Sequence, residues 1–474
     1  MIQFRLIQTL KRLIACLLIC LCQPVGAQTV ELSLEQGRIA ARQAVLQGRP
    51  ELAGDLALAL REANPDDRVA FIVLAAVQPQ LGAAREGRLA GVRAFRLSST
   101  EGERYEAARL TALAATNEER YTLSQIWLRR ATINAPDERG LAQTRNDFRG
   151  IRNLNPWSVN LRFSITPTNN LNGGSSTDCL FEIDPTGDGS ATFCAAKFSG
   201  DAQALSGLAA TGDVRLEYAI SRSAQQRTSL TARGYARAVW LSSDARELAP
   251  NSSNSDFGSQ TFEPGVNHQR RLGDGTLSAG VTAGWSWFAE ELSLQNNTVN
   301  LGYSTAISDQ STVKMSAEMQ QINLQSADRS NVRSTLTAGL SYITEGGNRI
   351  GGNLSYTKQM SDSINEGFEG LIAQMSYAWR EPIGPAQVSV STGVTYSDYP
   401  TYTLPLQAPG RQDTRIFTSF TAGFNDLEYA GFVRTMTVSF QDTQSNIARF
   451  ERDELSVTLA FALASDAGRR RRAC

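Results

Sequence analysis

Trp157-Ser158-Val159-Asn160-Leu161-Arg162-Phe163-Ser164-Ile165-Thr166 is the stretch on which the fold turns. Apolar side chains hold the odd positions and polar ones the even positions, the pattern of a strand with one dry and one wet face. The alternation returns to the end of the chain, as in Leu277/Ala279/Val281/Ala283/Trp285/Trp287, Val313/Met315/Ala317/Met319, Leu371/Ala373/Met375/Tyr377/Trp379 and Leu455/Val457/Leu459/Phe461/Leu463. Runs of about ten residues with aromatics near their ends suit tilted strands that cross a bilayer. The other face is rich in Ser, Thr, Gln, Asn and Gly, as a wet lumen requires. Lipid tolerates no open sheet edge, so the sheet is expected to close into an antiparallel barrel. Fourteen runs are counted, near 157–166, 203–221, 227–240, 257–272, 275–289, 292–308, 311–324, 331–345, 348–360, 366–380, 386–399, 411–426, 428–443 and 450–464. The fourth is the weakest, because Phe262, Val266 and His268 alternate poorly.

Upstream of Asn153 to Pro156 the period is helical, with Ile39, Ala40 and Ala44, then Leu56, Leu58 and Leu60, then Phe71, Leu74 and Ala75. Turn signals at Asn64-Pro65-Asp66-Asp67, Ser98-Ser99-Thr100 and Ala135-Pro136-Asp137 recur at a spacing near the roughly 34 residues of a tetratricopeptide repeat (TPR). Gly87, Ala90-Gly91 and Ala94 are small enough for helices to approach closely. A TPR-like all-α domain over 28–152 is therefore expected, with a plain helical bundle as the alternative. Stacked helix pairs of this kind present a groove suited to an extended peptide or a partner protein.

Residues 1–27 read as a secretory signal: Arg5, Lys11 and Arg12, an apolar run from Leu13 to Cys22, and Val25-Gly26-Ala27 before Gln28, with cleavage expected between Ala27 and Gln28. Ten apolar residues are about half of a spanning helix, which disfavours an anchor. Leu13-Ile14-Ala15-Cys16 has the letters of a lipoprotein signal but follows the basic pair with no apolar region before it. Cys16, Cys20 and Cys22 leave with the signal, and Cys474 is the last residue. Cys179 and Cys194 flank a turn-rich stretch, where a disulfide in an oxidising compartment is the natural reading and free thiols the alternative.

The chain carries 46 Lys and Arg against 47 Asp and Glu, a formal net charge of -1, so no global field recruits nucleic acid. A single histidine, His268, excludes every multi-histidine metal site. It is expected to be a polar lumen or loop residue. Asp184-Pro185-Thr186-Gly187-Asp188-Gly189 begins like a calcium loop, but its twelfth position is Ala195 where a bidentate Glu is needed. No nucleophile elbow, phosphate-binding loop or Cys-x-x-Cys occurs. Neither an enzyme nor a cofactor is expected. The basic run Arg469 to Arg472 reads as a solvated tail.

Three short stretches carry a family likeness: Asn155-Pro156-Trp157-Ser158-Val159-Asn160 at barrel entry, Thr166-Pro167-Thr168-Asn169-Asn170-Leu171-Asn172 after the first strand, and Ser445-Asn446-Ile447-Ala448-Arg449-Phe450-Glu451-Arg452-Asp453 before the last. With a signal peptide, a small helical-repeat domain and a barrel of about fourteen strands over 153–474, the chain resembles the surface lipoprotein assembly modifiers, the Slam proteins. The resemblance implies an outer-membrane translocon that helps deliver lipoproteins or related secreted clients from periplasm to cell surface. Its implied partners are the client, outer-membrane lipid and the barrel-assembly machinery, with the helical domain in the periplasm. The chain departs from the family in its end, since Phe461 is followed by Ala462 to Cys474 where an aromatic terminus is usual. The rival from another class is a polysaccharide-export porin, which also joins periplasmic helical repeats to a barrel but usually has more repeats.

Overall fold

The computed structural model describes residues 31–183, 193–325, 328–404, 409–429 and 432–463. The expected signal and its Ala27/Gln28 cleavage point, the core of the calcium-like loop and the basic tail lie outside these residues. The chain divides into two compact units, Met1–Phe148 and Arg149–Cys474.

In the first unit the helices are α1 (Leu34–Leu46), α2 (Pro50–Ala63), α3 (Arg68–Val77), α4 (Ala84–Leu97), α5 (Glu101–Asn117) and α6 (Tyr121–Ile133), and α7 (Glu138–Leu154) follows across the division. Helices α1, α3, α5 and α7 each start just after a short polar residue. Ser33 and Thr100 form capping boxes with Gln36 and Glu103, Asp67 accepts from the Ala70 N–H, and Asp137 accepts from the Gly140 N–H. Each cap satisfies an amide that the first turn leaves unpaired, worth typically about 1 kcal/mol. Helices pack on their chain neighbours, with next-but-one contacts between α1 and α3 and between α3 and α5.

Small side chains fill much of the core of this unit: Ala41, Ala44, Ala53, Ala57, Ala90, Ala94, Ala107 and Ala112 are buried, beside Leu60, Val73, Leu74 and Val77. Several larger residues of the apolar pattern, Ile39, Leu58 and Leu113, are instead exposed. Close helix approach selects for small volume and leaves no room for them. Gly91 shows this directly, because a Cβ there would stand 2.3 Å from Thr111 Oγ1. The Arg38–Asp67 pair (2.8 Å) and the Arg88–Glu118 pair (2.6 Å) tie successive repeats together.

The second unit holds β1 (Trp157–Thr168), a small hairpin of β2 (Cys179–Ile183) and β3 (Phe193–Lys197), then β4 (Gly207–Arg222), β5 (Gln226–Leu241), a short helix α8 (Ser243–Leu248), β6 (Ser259–Leu272), β7 (Gly275–Phe288), β8 (Glu291–Ala306) and β9 (Ser311–Leu324). It continues with β10 (Arg329–Ile343), β11 (Arg349–Ser361), β12 (Phe368–Ala378), β13 (Gln387–Tyr399), β14 (Arg411–Tyr429), β15 (Phe432–Ser445) and β16 (Arg452–Leu463). All but β2 and β3 form a closed antiparallel barrel of fourteen strands in which β16 pairs with β1. The weakly patterned fourth run is a full barrel strand, β6, paired on both sides.

Alternation sets the two faces. Phe163, Val281, Met315, Leu336, Met375 and Phe420 point out and are exposed, whereas Thr298 and Asn296 on the opposite parity are buried. Outward aromatics mark both rims: Trp157, Tyr218, Tyr303 and Tyr342 toward one end, Trp240, Trp287 and Tyr396 toward the other. Inside, hydroxyl pairs bridge neighbouring strands, including Ser164–Thr211 (2.6 Å), Ser391–Ser419 (2.8 Å) and Thr421–Thr437 (3.0 Å). His268 lies within β6 on the outward parity, with its Nδ1 2.9 Å from Thr228 Oγ1, rather than in the lumen or a loop. His268 stands two residues from Val266 and so shares its face, opposite Ala279 of β7.

The two ends differ. Connections 223–225, 273–274, 307–310 and 344–348 are short and share the end at which the chain enters β1. The long connections 169–206 and 242–258 lie at the other end.

Candidate functional site at the barrel mouth

The family-like residues separate into two places along β1. At its start, Asn155 is buried and its Oδ1 accepts from the Trp157 N–H (3.0 Å), while the Pro156 carbonyl accepts from Ala219 (2.9 Å). Trp157 packs on Tyr218 with ring centroids 4.8 Å apart. These contacts fix where the strand begins.

At the other end of β1 the second and third stretches meet. Pro167 is on the outward parity of the strand. Asn169 clamps β1 to β16, its Oδ1 accepting from the Leu455 N–H (2.8 Å) and its N–H donating to the Leu455 carbonyl (3.4 Å). Asn170 donates to the Gly174 carbonyl (2.9 Å). Asn172 uses its whole amide: it donates to the carbonyls of Asp201 and Gln203 (both 2.8 Å) and accepts from the N–H groups of Leu205 (2.9 Å) and Gly174 (3.3 Å).

Ser445 donates to Asp413 (2.7 Å), and Asn446 bridges the start of β14 by accepting from the Gln412 N–H (2.8 Å) and donating to the Gly410 carbonyl (3.1 Å). Ile447 is buried. Ser175 Oγ donates to the Ala448 carbonyl (3.0 Å), and the Ser176 N–H to that of Glu451 (3.0 Å), so the segment after β1 is tied to the turn before β16. Arg452 takes the luminal parity, with its Nη1 against Gly173, and Asp453 the outward one.

The first long connection also folds inward. Leu171 and Leu205 pack with the luminal residues Ala209, Val239 and Leu241 and with Ala245 and Ala249 beside α8. Arg237, from the wall of β5, donates to the Leu171 carbonyl (2.6 Å). In the hairpin that rises from this connection, Cys179 and Cys194 are joined by a disulfide with a Cα separation of 5.6 Å. Among the described residues no group of His, Cys, Asp and Glu could hold a metal ion.

The luminal wall is not uniformly uncharged. Uncharged side chains line β7, β8, β12 and β13, but β4 to β6 carry a compensated network: Arg233 joins Asp213 (2.8 Å) and Glu263 (3.1 Å), and Arg227 joins Glu217 (2.9 Å). Across β10 to β16 lie Arg333, Arg411, Arg415 and Arg452. Sequence reading missed these four as a group. Their positions between the polar residues of each run are a visible signal, but their convergence depends on register.

Among the described residues β1 pairs with β4 from Trp157 to Thr168 and with β16 from Arg162 to Thr168.

A closed barrel with an apolar outer belt, aromatic rims and a wet interior is an outer-membrane β-barrel. Within that class the chain belongs to the family described as surface lipoprotein assembly modifier, whose sequence profile matches residues 157–463, the whole barrel. Solved structures of similar fold include Acinetobacter baumannii OccAB3 (8% identity over 65% of this chain and 98% of that one, TM-score 0.36). A BenF-like porin from Pseudomonas fluorescens Pf-5 is also similar (8% identity, 65% and 99% coverage, TM-score 0.35). So is a bacterial polysaccharide outer membrane secretin (8% identity, 65% and 98% coverage, TM-score 0.32). No curated protein matches significantly.

Proposed function

We propose that this protein is a translocon: its helical unit receives a lipoprotein or related secreted client in the periplasm, and its barrel provides the route to the cell surface. Family membership carries this reading, since the matched profile spans the whole barrel. Topology supports the orientation. The chain enters β1 at the end with short connections, and short turns face the periplasm in outer-membrane barrels. The helix starts at Leu34, Arg68, Glu101 and Glu138 support a TPR-like stack, a scaffold suited to holding extended peptide. The secretory signal over 1–27 delivers the chain to the periplasm, where the barrel-assembly machinery inserts it into outer-membrane lipid. We assign a structural role to Asn169, Asn172, Ser445 and Asn446, which hold the barrel mouth together. The disulfide belongs to the same mouth.

The test is surface labelling of a lipoprotein encoded beside this protein's gene, in cells with and without the protein. Client exposure should fall by about tenfold or more in its absence. Unchanged exposure together with loss of a secreted polysaccharide would replace this reading with the polysaccharide-export one.

A further inference from the structure

Four luminal arginines of β10, β14 and β16 are arranged as a strip; a fifth, Arg329 of β10, is paired with Glu366 (2.7 Å). Register places Arg333, Gln359, Phe368, Tyr399 and Arg411 in one row across β10 to β14, and Arg415, Thr443 and Arg452 in a second row across β14 to β16. Aromatic rings hold the guanidinium groups of the first row. Arg333 lies 5.9 Å from the Phe368 centroid, Phe368 packs on Tyr399 at 5.0 Å, and Arg411 lies 4.2 Å from Tyr399 and 3.3 Å from Phe450. Such stacking fixes a cation's position without neutralising its charge.

Compensation is incomplete. Arg411 pairs with Asp413, whose second donor is Ser445. Arg333 bonds only the Gln359 amide (2.9 Å), and Arg415 only the Thr395 hydroxyl (3.3 Å), with its Nε buried and unpartnered. Among the described residues Arg333, Arg415 and Arg452 form no ion pair. Another luminal acid of these strands, Glu454 of β16, is held by Gln441 and Thr168. Even counting Glu454 with Asp413, the strip keeps an excess of positive charge; on the wall of β4 to β6, Asp213, Glu217 and Glu263 are taken up by Arg233 and Arg227, while Arg237 donates to the carbonyls of Leu171 and Phe257. Guanidinium groups stay protonated at any physiological pH, so this charge is permanent. Low-dielectric walls strengthen its field in the lumen.

We propose that the barrel is an anion-selective conduit, and that Arg333, Arg415 and Arg452 form a recognition strip for the carboxylates of an acidic peptide segment entering the lumen. The inference concerns the lumen itself and stands apart from the identity of any client. Purified full-length protein in planar bilayers under a tenfold KCl gradient should show a reversal potential on the chloride side. That preference should be flat between about pH 5 and pH 9, because no lysine or histidine carries it. A short oligoglutamate should block the current at concentrations at least tenfold below an oligolysine of equal length.

R333Q/R415Q/R452Q should bring chloride and potassium permeabilities within about twofold of each other and remove the oligoglutamate block. The triple Arg→Lys variant should keep both. Heat-modifiable gel migration checks that each variant folds, and the three single Gln variants, each with a partial shift, serve if the triple does not. A non-conducting barrel, a reversal potential at zero or on the potassium side, or selectivity unchanged in the Gln variants would overturn the proposal.

Discussion

At the scale of one residue, Asn172 shows how much a single amide can organise. Its carbonyl oxygen accepts from the N–H of Leu205, a fully buried residue, and its NH2 group ties down two further carbonyls of the same connection. Asn172→Ala removes the acceptor of the Leu205 N–H and the donor to two carbonyls, at a cost of about 1 kcal/mol or somewhat more confined to this segment. The barrel ladders do not depend on it. The expected outcome is normal insertion with faster trypsin cleavage at Lys197, by roughly tenfold if cleavage follows local opening. Native-state proteolysis with mass detection of the nick measures this, and Asn172→Asp, which keeps the acceptor, should fall in between. The sequence offered Asn172 as a family-like position, but nothing local said that its partners lie near residues 201–205.

At the scale of elements, the β1–β16 seam closes the barrel, and at Pro167 of β1 it lacks an amide donor. Backbone groups in lipid are protected only where a neighbouring strand accepts them. Hydrogen exchange in detergent or nanodiscs should therefore be faster in peptides covering Ser456–Thr458, opposite Pro167, than in those covering the central part of β8, which pairs with β7 and β9 throughout. Equal protection of the two would refute this. Strand existence was legible because a period of two survives in every run, even in β6, whose Pro264 and His268 blur it. Facing was less legible there. His268 reads as polar and is nonetheless on the outer parity, because the ladder with β5 and β7 decides which side it takes.

At the scale of the whole molecule, the two units should fail differently. Removing residues 28–150 should leave a barrel that still inserts but exposes client poorly, since the sheet closes without the helices. Removing Leu455–Leu463 opens the sheet on β1 and β15 and should abolish insertion. Heat-modifiable migration reads the first property and surface labelling of the client the second; equal client exposure after loss of the helical unit would refute its role. The sequence by itself determined the fold class, the switch of period at Trp157 and the fourteen-strand count, because periodicity is written in neighbouring residues and lipid forbids an open edge. It also determined the spacing of the helical repeats, through the turn signals that end at Asp67, Thr100 and Asp137, each of which caps the helix that follows. Only the tertiary structure decided what lies opposite what: that Asn169 meets Leu455, that Ser175 meets Ala448, and that arginines from β10, β14 and β16 share one wall. Those contacts join residues as many as 286 positions apart, and their register is fixed by strand pairing around a closed ring, which no local pattern encodes.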